Sequence, residues 1–174
     1  MAATMEIDEE NPSVNTIAAR AGVGVASLYR YFPSKAAIYA EISRRLQRDF
    51  LDQLRALLSQ PSLGLEETVL ECCRIAVEVP GVSPVLRRNL NLLVPLSWSK
   101  DTADTMLVAA VAEIARWLRM RMDSPPADLE DRVFMVFAAG RGIVMLSRLY
   151  PDAAPNDRDL VRHMARVTLM YMRS

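Results

Sequence analysis

Apolar side chains recur along this chain at intervals of three and four, the spacing that keeps one face of a helix against a core. Ile38, Ile42 and Leu46 form one such row, continued by Leu54, Leu57 and Leu58, and Leu107, Val111, Ile114 and Leu118 form another. No period-two alternation competes with them. Proline and glycine clusters at 61–64, 80–84, 125–126 and 151–155 fall between the rows, where a helix has to stop. The pattern predicts helices over Val14–Ala21, Val25–Phe32, Ser34–Leu58, Leu65–Val79, Pro84–Leu93, Asp101–Met122, Ala127–Tyr150 and Asp157–Arg173. An all-α fold follows.

The first two predicted helices are short and lie within the stretch VNTIAARAGVGVASLYRYFPSK, Val14 to Lys35. Facing one another, Ile17, Ala18 and Ala21 supply one apolar side and Leu28 and Phe32 the other, with Val23 expected to plug the corner. Gly22 suits a helix C-terminus because a left-handed backbone costs it little, and Gly24 is a usable N-cap. This is helix-turn-helix spacing. With the inward positions taken, Val25, Ala26, Ser27, Tyr29, Arg30 and Tyr31 remain on or near the surface.

Charge sharpens the picture. The chain is neutral overall, yet Arg20, Arg30, Lys35, Arg44, Arg45 and Arg48 face a single Glu41 between residues 11 and 48, a net of +5. A basic module on a near-neutral body suggests a polyanion at one end. Small side chains at the start of the second helix let its backbone approach base edges in a major groove. Val25 and Ala26 would touch thymine methyls, Ser27 would hydrogen-bond to a base, and Arg30 would donate to a guanine or a phosphate. The hydroxyls of Tyr29 and Tyr31 would meet phosphate oxygens. Lys35, a cation in the first turn of the third helix, opposes the helix dipole unless a phosphate sits there. Ser13, Asn15 and Thr16 offer a second place for an anion.

Taken together, TIAARAGVGVASLYRYFPSK resembles the DNA-binding signature of the TetR family of bacterial transcriptional regulators nearly position for position. The resemblance runs from Ser13 to about Arg45; the remainder is similar only in size and helical pattern. It implies phosphate contacts by Thr16, Tyr29, Tyr31 and Lys35 and base contacts by Val25, Ala26 and Ser27, on double-stranded DNA. It also implies a helix-turn-helix domain at residues 13–48 joined by a long helix to a ligand-binding and dimerisation domain at 49–174, after an acidic tail at 1–12. Members carry a further amphipathic helix ahead of the motif, whereas only MAATMEIDEENP precedes Ser13. That helix is expected to be missing, leaving Ile38 and Ile42 uncovered at about 1.5 to 3 kcal/mol each. Either the true start lies upstream, or the chain is a helical dimeric ligand- or partner-binding protein that has lost DNA binding.

In the second half, the helix near 129–149 is apolar almost all round and the last helix adds a further apolar face. Phe134, Ala138, Gly140, Arg141, Leu160, Met164 and Val167 are the candidate dimer contacts, in a four-helix isologous interface of the kind the resemblance implies. Reading heads paired by a two-fold axis call for a pseudo-palindromic operator. Trp98, Met106, Trp117 and Phe137 are candidates to line a pocket for a small apolar effector, whose binding would release DNA from what the resemblance implies is a repressor.

Other chemistry finds little support. His163 is the only histidine, and no triad spacing, metal-ligand spacing or phosphate-cradling glycine loop occurs, so neither catalysis, metal nor cofactor is expected. Cys72 and Cys73 are adjacent, poor geometry for an ordinary disulfide, and read as small buried hydrophobes. No apolar run is long enough to cross a bilayer and no signal peptide is evident, which points to the cytoplasm and away from a membrane.

Overall fold

The computed structural model describes residues 12–93 and 96–173, with side chains at 91–105 set aside, and every regular element among the described residues is a helix. These are α1 (Val14–Arg20), α2 (Val25–Tyr31), α3 (Lys35–Leu58), α4 (Leu65–Val77), α5 (Pro84–Leu93), α6 (Leu96–Arg119), α7 (Leu129–Leu149) and α8 (Asp157–Arg173). The all-α expectation holds. The sixth helix begins five residues earlier than the sequence pattern placed it and ends at Arg119 rather than Met122. Ser97, Ser99, Asp101 and Thr102 interrupt the apolar row, and they sit inside the helix nonetheless.

The chain divides into two compact units. Met1–Leu46 with Pro80–Thr102 forms one, and Gln47–Val79 with Ala103–Ser174 forms the other, so α3 and α6 each contribute to both.

Within the first unit, Ser13 caps α1 by accepting from the Thr16 amide at 3.0 Å. Gly22 then turns the chain at φ +66°, in the left-handed region. Ile17, Ala18 and Leu28 are buried as the motif requires, while Ala21 and Phe32 are half-buried. Val23 departs from expectation: it is 44% exposed, so it does not plug the corner. Its amide donates to the Ala18 carbonyl at 3.0 Å, which ties its backbone to α1 without directing its side chain inward. Ile38 and Ile42 also depart from expectation, being 2% and 1% exposed. The inner face of α3 is therefore covered, and the stability loss argued from a missing cover does not arise. Residues 1–11, on which the acidic-tail and missing-helix expectations rest, lie outside the described residues.

The second unit has three packed regions. Leu54, Met106 and Ala110 gather with Phe50, Cys72 and Phe137, and the Phe50 and Phe137 rings meet edge to face at 6.0 Å. Ala115, Trp117, Leu118, Leu129 and Val133 make a second cluster. Cys73 and Val77 of α4 pack against Leu160, Val161, Met164 and Ala165 of α8 in the third. α8 is strongly amphipathic, and α4 covers its apolar face inside the same chain. Leu160 and Met164 are thus core residues of the protomer and not dimer contacts as expected. A Cβ on Gly140 would lie 3.4 Å from the Met164 Cε, so Gly140 too faces α8 of its own chain.

Candidate nucleic-acid interface

The candidate interface is assembled by the turn at Gly22. Because Leu28 anchors α2 inward, the helical period turns Ala26, Ser27, Tyr29 and Arg30 to solvent, together with Tyr31 at its end. Tyr29 is 49% and Tyr31 70% exposed, values that no packing role requires of a tyrosine. Val25, the first helical residue, is half-buried. Ala26 and Ser27 are the smallest side chains on the exposed surface, and they lie in the first turn, where a helix entering a groove comes closest to its target.

Arg30 and Tyr31 orient each other. The Arg30 guanidinium lies 5.2 Å from the Tyr31 ring centroid, and its Nη2 donates to the Tyr31 hydroxyl at 3.4 Å. Stacking of this sort limits the rotamers of both chains at an exposed site. It holds a cation and a hydroxyl at the C-terminal end of α2, beyond the small-faced first turn.

At the other edge stands α1. Asn15 is exposed and Thr16 half-buried, and the Thr16 Oγ1 lies 2.9 Å from the Ser13 Oγ. Arg20, exposed in the last turn of α1, is a further cation on this face, and only the local excess of positive charge signalled it in the sequence. Lys35 begins α3, whose first turn is capped by Ser34 through a bond from the Ala37 amide to the Ser34 Oγ at 3.2 Å. The Lys35 side chain is half-buried and its Nζ donates to the Pro12 carbonyl at 3.3 Å. Sequence reasoning aimed this ammonium at a phosphate and missed Pro12. The bond to Pro12 fixes where this ammonium sits, at the start of α3.

The remaining candidates lie in the second unit. Phe134, Ala138, Arg141 and Val167 are exposed there. Met106 and Phe137 pack in one cluster and Trp117 in another, the two regions sharing Leu58 and Ile114 at their margins. The side chain of Trp98 lies outside the described residues. Burial pushes the Cys72 thiol up to about 12 and the Cys73 thiol up to about 11, so both stay protonated and unreactive. Among the described residues no group of three or more histidine, cysteine or carboxylate side chains is placed to hold a metal ion, and no helix is long and apolar enough to cross a membrane.

Comparison with known proteins agrees with this geometry. Residues 2–42 match the family model described as bacterial regulatory proteins, tetR family. That match takes in most of the segment ahead of Ser13. Over 143 residues the chain is 27% identical to the HTH-type transcriptional regulator RutR of Escherichia coli strain K12, and to the same protein of Shigella flexneri, across 80% of this chain. The chain spans 64% of the length of these relatives. A TetR-family transcriptional regulator from Mesorhizobium loti superimposes with a TM-score of 0.67 at 16% identity, covering 99% of this chain and 90% of that one. A transcriptional regulator from Rhodococcus sp. Rha1 gives 0.66, again at 16% identity, covering 98% and 89%. At such identity the likeness is one of fold.

Proposed function

We propose that the chain is a member of the tetR family of bacterial regulatory proteins, whose model its residues 2–42 match, and a DNA-binding transcriptional regulator working in the cytoplasm as a homodimer on a pseudo-palindromic operator. One observation carries this reading: α2 is held by Leu28 with Ala26, Ser27, Tyr29, Arg30 and Tyr31 turned to solvent. Ala26 and Ser27, with the half-buried Val25, meet base edges. Tyr29, Tyr31, Thr16 and Lys35 meet phosphates, and Arg30 reaches a base or a phosphate. Asn15 and Ser13 line the same edge.

The dimer supports the reading geometrically, since a two-fold axis presents two α2 helices to successive half-sites. Phe134 and Val167 are the exposed apolar residues suited to it, at 44% and 62%. An effector of apolar character would enter the second unit beside Met106 and Phe137, and by binding one conformation better would release the operator, making the protein a repressor.

Titrating the protein into labelled DNA from its own upstream region, at two salt concentrations, tests the proposal by fluorescence anisotropy. Affinity well above that for random DNA, weakening as salt rises, is expected. Equal affinity for both DNAs would sink it.

A further inference from the structure

The outward face of α7 carries a charge pattern that its own protomer does not use. Asp131 and Arg141 are both exposed, and neither has a side-chain partner among the described residues. At about 100° and 1.5 Å per residue they lie about 80° apart around the helix axis and about 15 Å apart along it. Between them the same face presents Phe134, Met135 and Ala138, the first two 44% and 55% exposed. The order along the face is therefore acid, apolar, base.

The dipole of α7 accounts for an acid in its first turn. It does not account for Arg141, which interrupts an apolar helix between Gly140 and Gly142. Neighbouring groups already desolvate this guanidinium and hold its pKa below the ordinary arginine value. Covering the face without supplying an acceptor would bury an unpaired charge, which costs several kcal/mol. Whatever covers α7 must bring a carboxylate to Arg141 and accept the charge of Asp131.

A second copy of α7 does both, in one orientation only. We infer that the α7 helices of two protomers pack antiparallel across a two-fold axis near Val136, each Asp131 pairing with the partner's Arg141. Counted along the helix, position 136 lies midway between the two charges, its own side chain turned to the opposite side, so one axis at that level forms both pairs at once, as an isologous contact must. The side chains of Phe134, Met135 and Ala138 then close over one another between the pairs. A parallel arrangement would set like charges side by side and is disfavoured. This inference rests on the dimer proposed above and specifies its register.

Charge reversal by mixing tests it. Asp131→Arg leaves a protomer with two cations on the face, and Arg141→Asp leaves one with two acids. Each variant alone is expected to raise the dimer dissociation constant at least about tenfold in sedimentation equilibrium. An equimolar mixture of the two restores opposite charges at both contacts and is expected to dimerise within about threefold of the unaltered protein. A misfolded variant cannot be rescued by mixing, so recovery separates pairing from damage; Asp131→Asn and Arg141→Gln give a milder pair should either reversal fail to fold. Single variants that dimerise normally, or weak variants that mixing leaves weak, overturn the register and leave the dimer standing. An unaltered protein that is monomeric throughout overturns the dimer and the register together.

Discussion

The guanidinium of Arg148 donates to the carbonyl of Val77, Nη2 to oxygen at 2.9 Å, and so joins α7 to the last residue of α4. Its Nη1 reaches the Asp157 carboxylate at 2.5 Å, at the start of α8. Three helix ends meet on one side chain that is only 13% exposed. Arg148→Met removes both of these largely buried, charge-assisted bonds, a loss of about 1 to 3 kcal/mol. Asp157→Asn keeps an acceptor at a more exposed position and costs less. Urea unfolding of the two variants should rank them in that order.

Exposure separates fold from function on α2. Leu28→Ala deletes the buried anchor and is expected to cost about 2 to 5 kcal/mol, dragging DNA binding down through loss of the folded head. Ala26→Glu touches nothing buried and leaves the melting temperature within about 2 °C, since surface changes stay within about 0.5 kcal/mol. It should abolish specific DNA binding, because a carboxylate would meet the groove where the proposed reading places the Ala26 methyl. Melting curves read beside anisotropy titrations decide the matter.

At Gly22 the cost of substitution is purely one of backbone. Its φ of +66° lies in the left-handed region, yet a Cβ there would meet nothing within 4 Å. Gly22→Ala is accordingly expected to destabilise by about 1 to 2 kcal/mol without any clash to relieve. Gly24→Ala, at φ −69°, should cost far less. Equal losses at both positions, measured by thermal unfolding, would contradict the assignment of strain to Gly22 alone.

What the sequence made legible was whatever depends on local spacing. Ile17, Ala18 and Leu28 could be assigned inward because their intervals leave α1 and α2 one common apolar side, and α2 ends within one residue of its predicted end. Tertiary choices were not legible. Leu160 and Val167 both belong to apolar rows of α8, yet α4 covers the first and leaves the second 62% exposed, and periodicity does not say which partner a face will meet. Trp117 and Met106 looked alike as large apolar residues on one helix, and they went to different clusters because successive turns of α6 meet different neighbours. The polar side chains of 97–102 hid the first turns of α6, because an apolar row is the signal by which periodicity marks a helix and that stretch has none. Arg148 drew no notice, since its carbonyl acceptor is a backbone group 71 residues away.

Lys35 admits a quantitative check through salt. A phosphate-contacting lysine contributes about one unit to the slope of log affinity against log salt, so Lys35→Met is expected to lower that slope by about one. Loss of the bond to the Pro12 carbonyl acts differently, weakening binding at every salt concentration alike. A parallel downward shift of the titrations, with no change of slope, would remove Lys35 from the phosphate contacts.

The buried thiols set an alkaline limit on stability. Folded values of about 12 for Cys72 and about 11 for Cys73 stand above the ordinary 9.0, in both cases chiefly because burial disfavours the thiolate. A raised folded pKa gives a contribution that is complete below the unfolded value and is lost as pH climbs toward the folded one. The unfolded chain ionises first, near pH 9, and draws the equilibrium toward itself by about 1.4 kcal/mol per thiol for each pH unit above that. Cys72→Ala removes one such group. Its own cavity cost appears equally at pH 8 and pH 10, whereas the alkaline loss belongs only to the unaltered protein. Between those two pH values the gap in unfolding free energy between the two proteins should therefore narrow by about 1 kcal/mol, and a gap that stays constant would place the Cys72 thiol in contact with solvent.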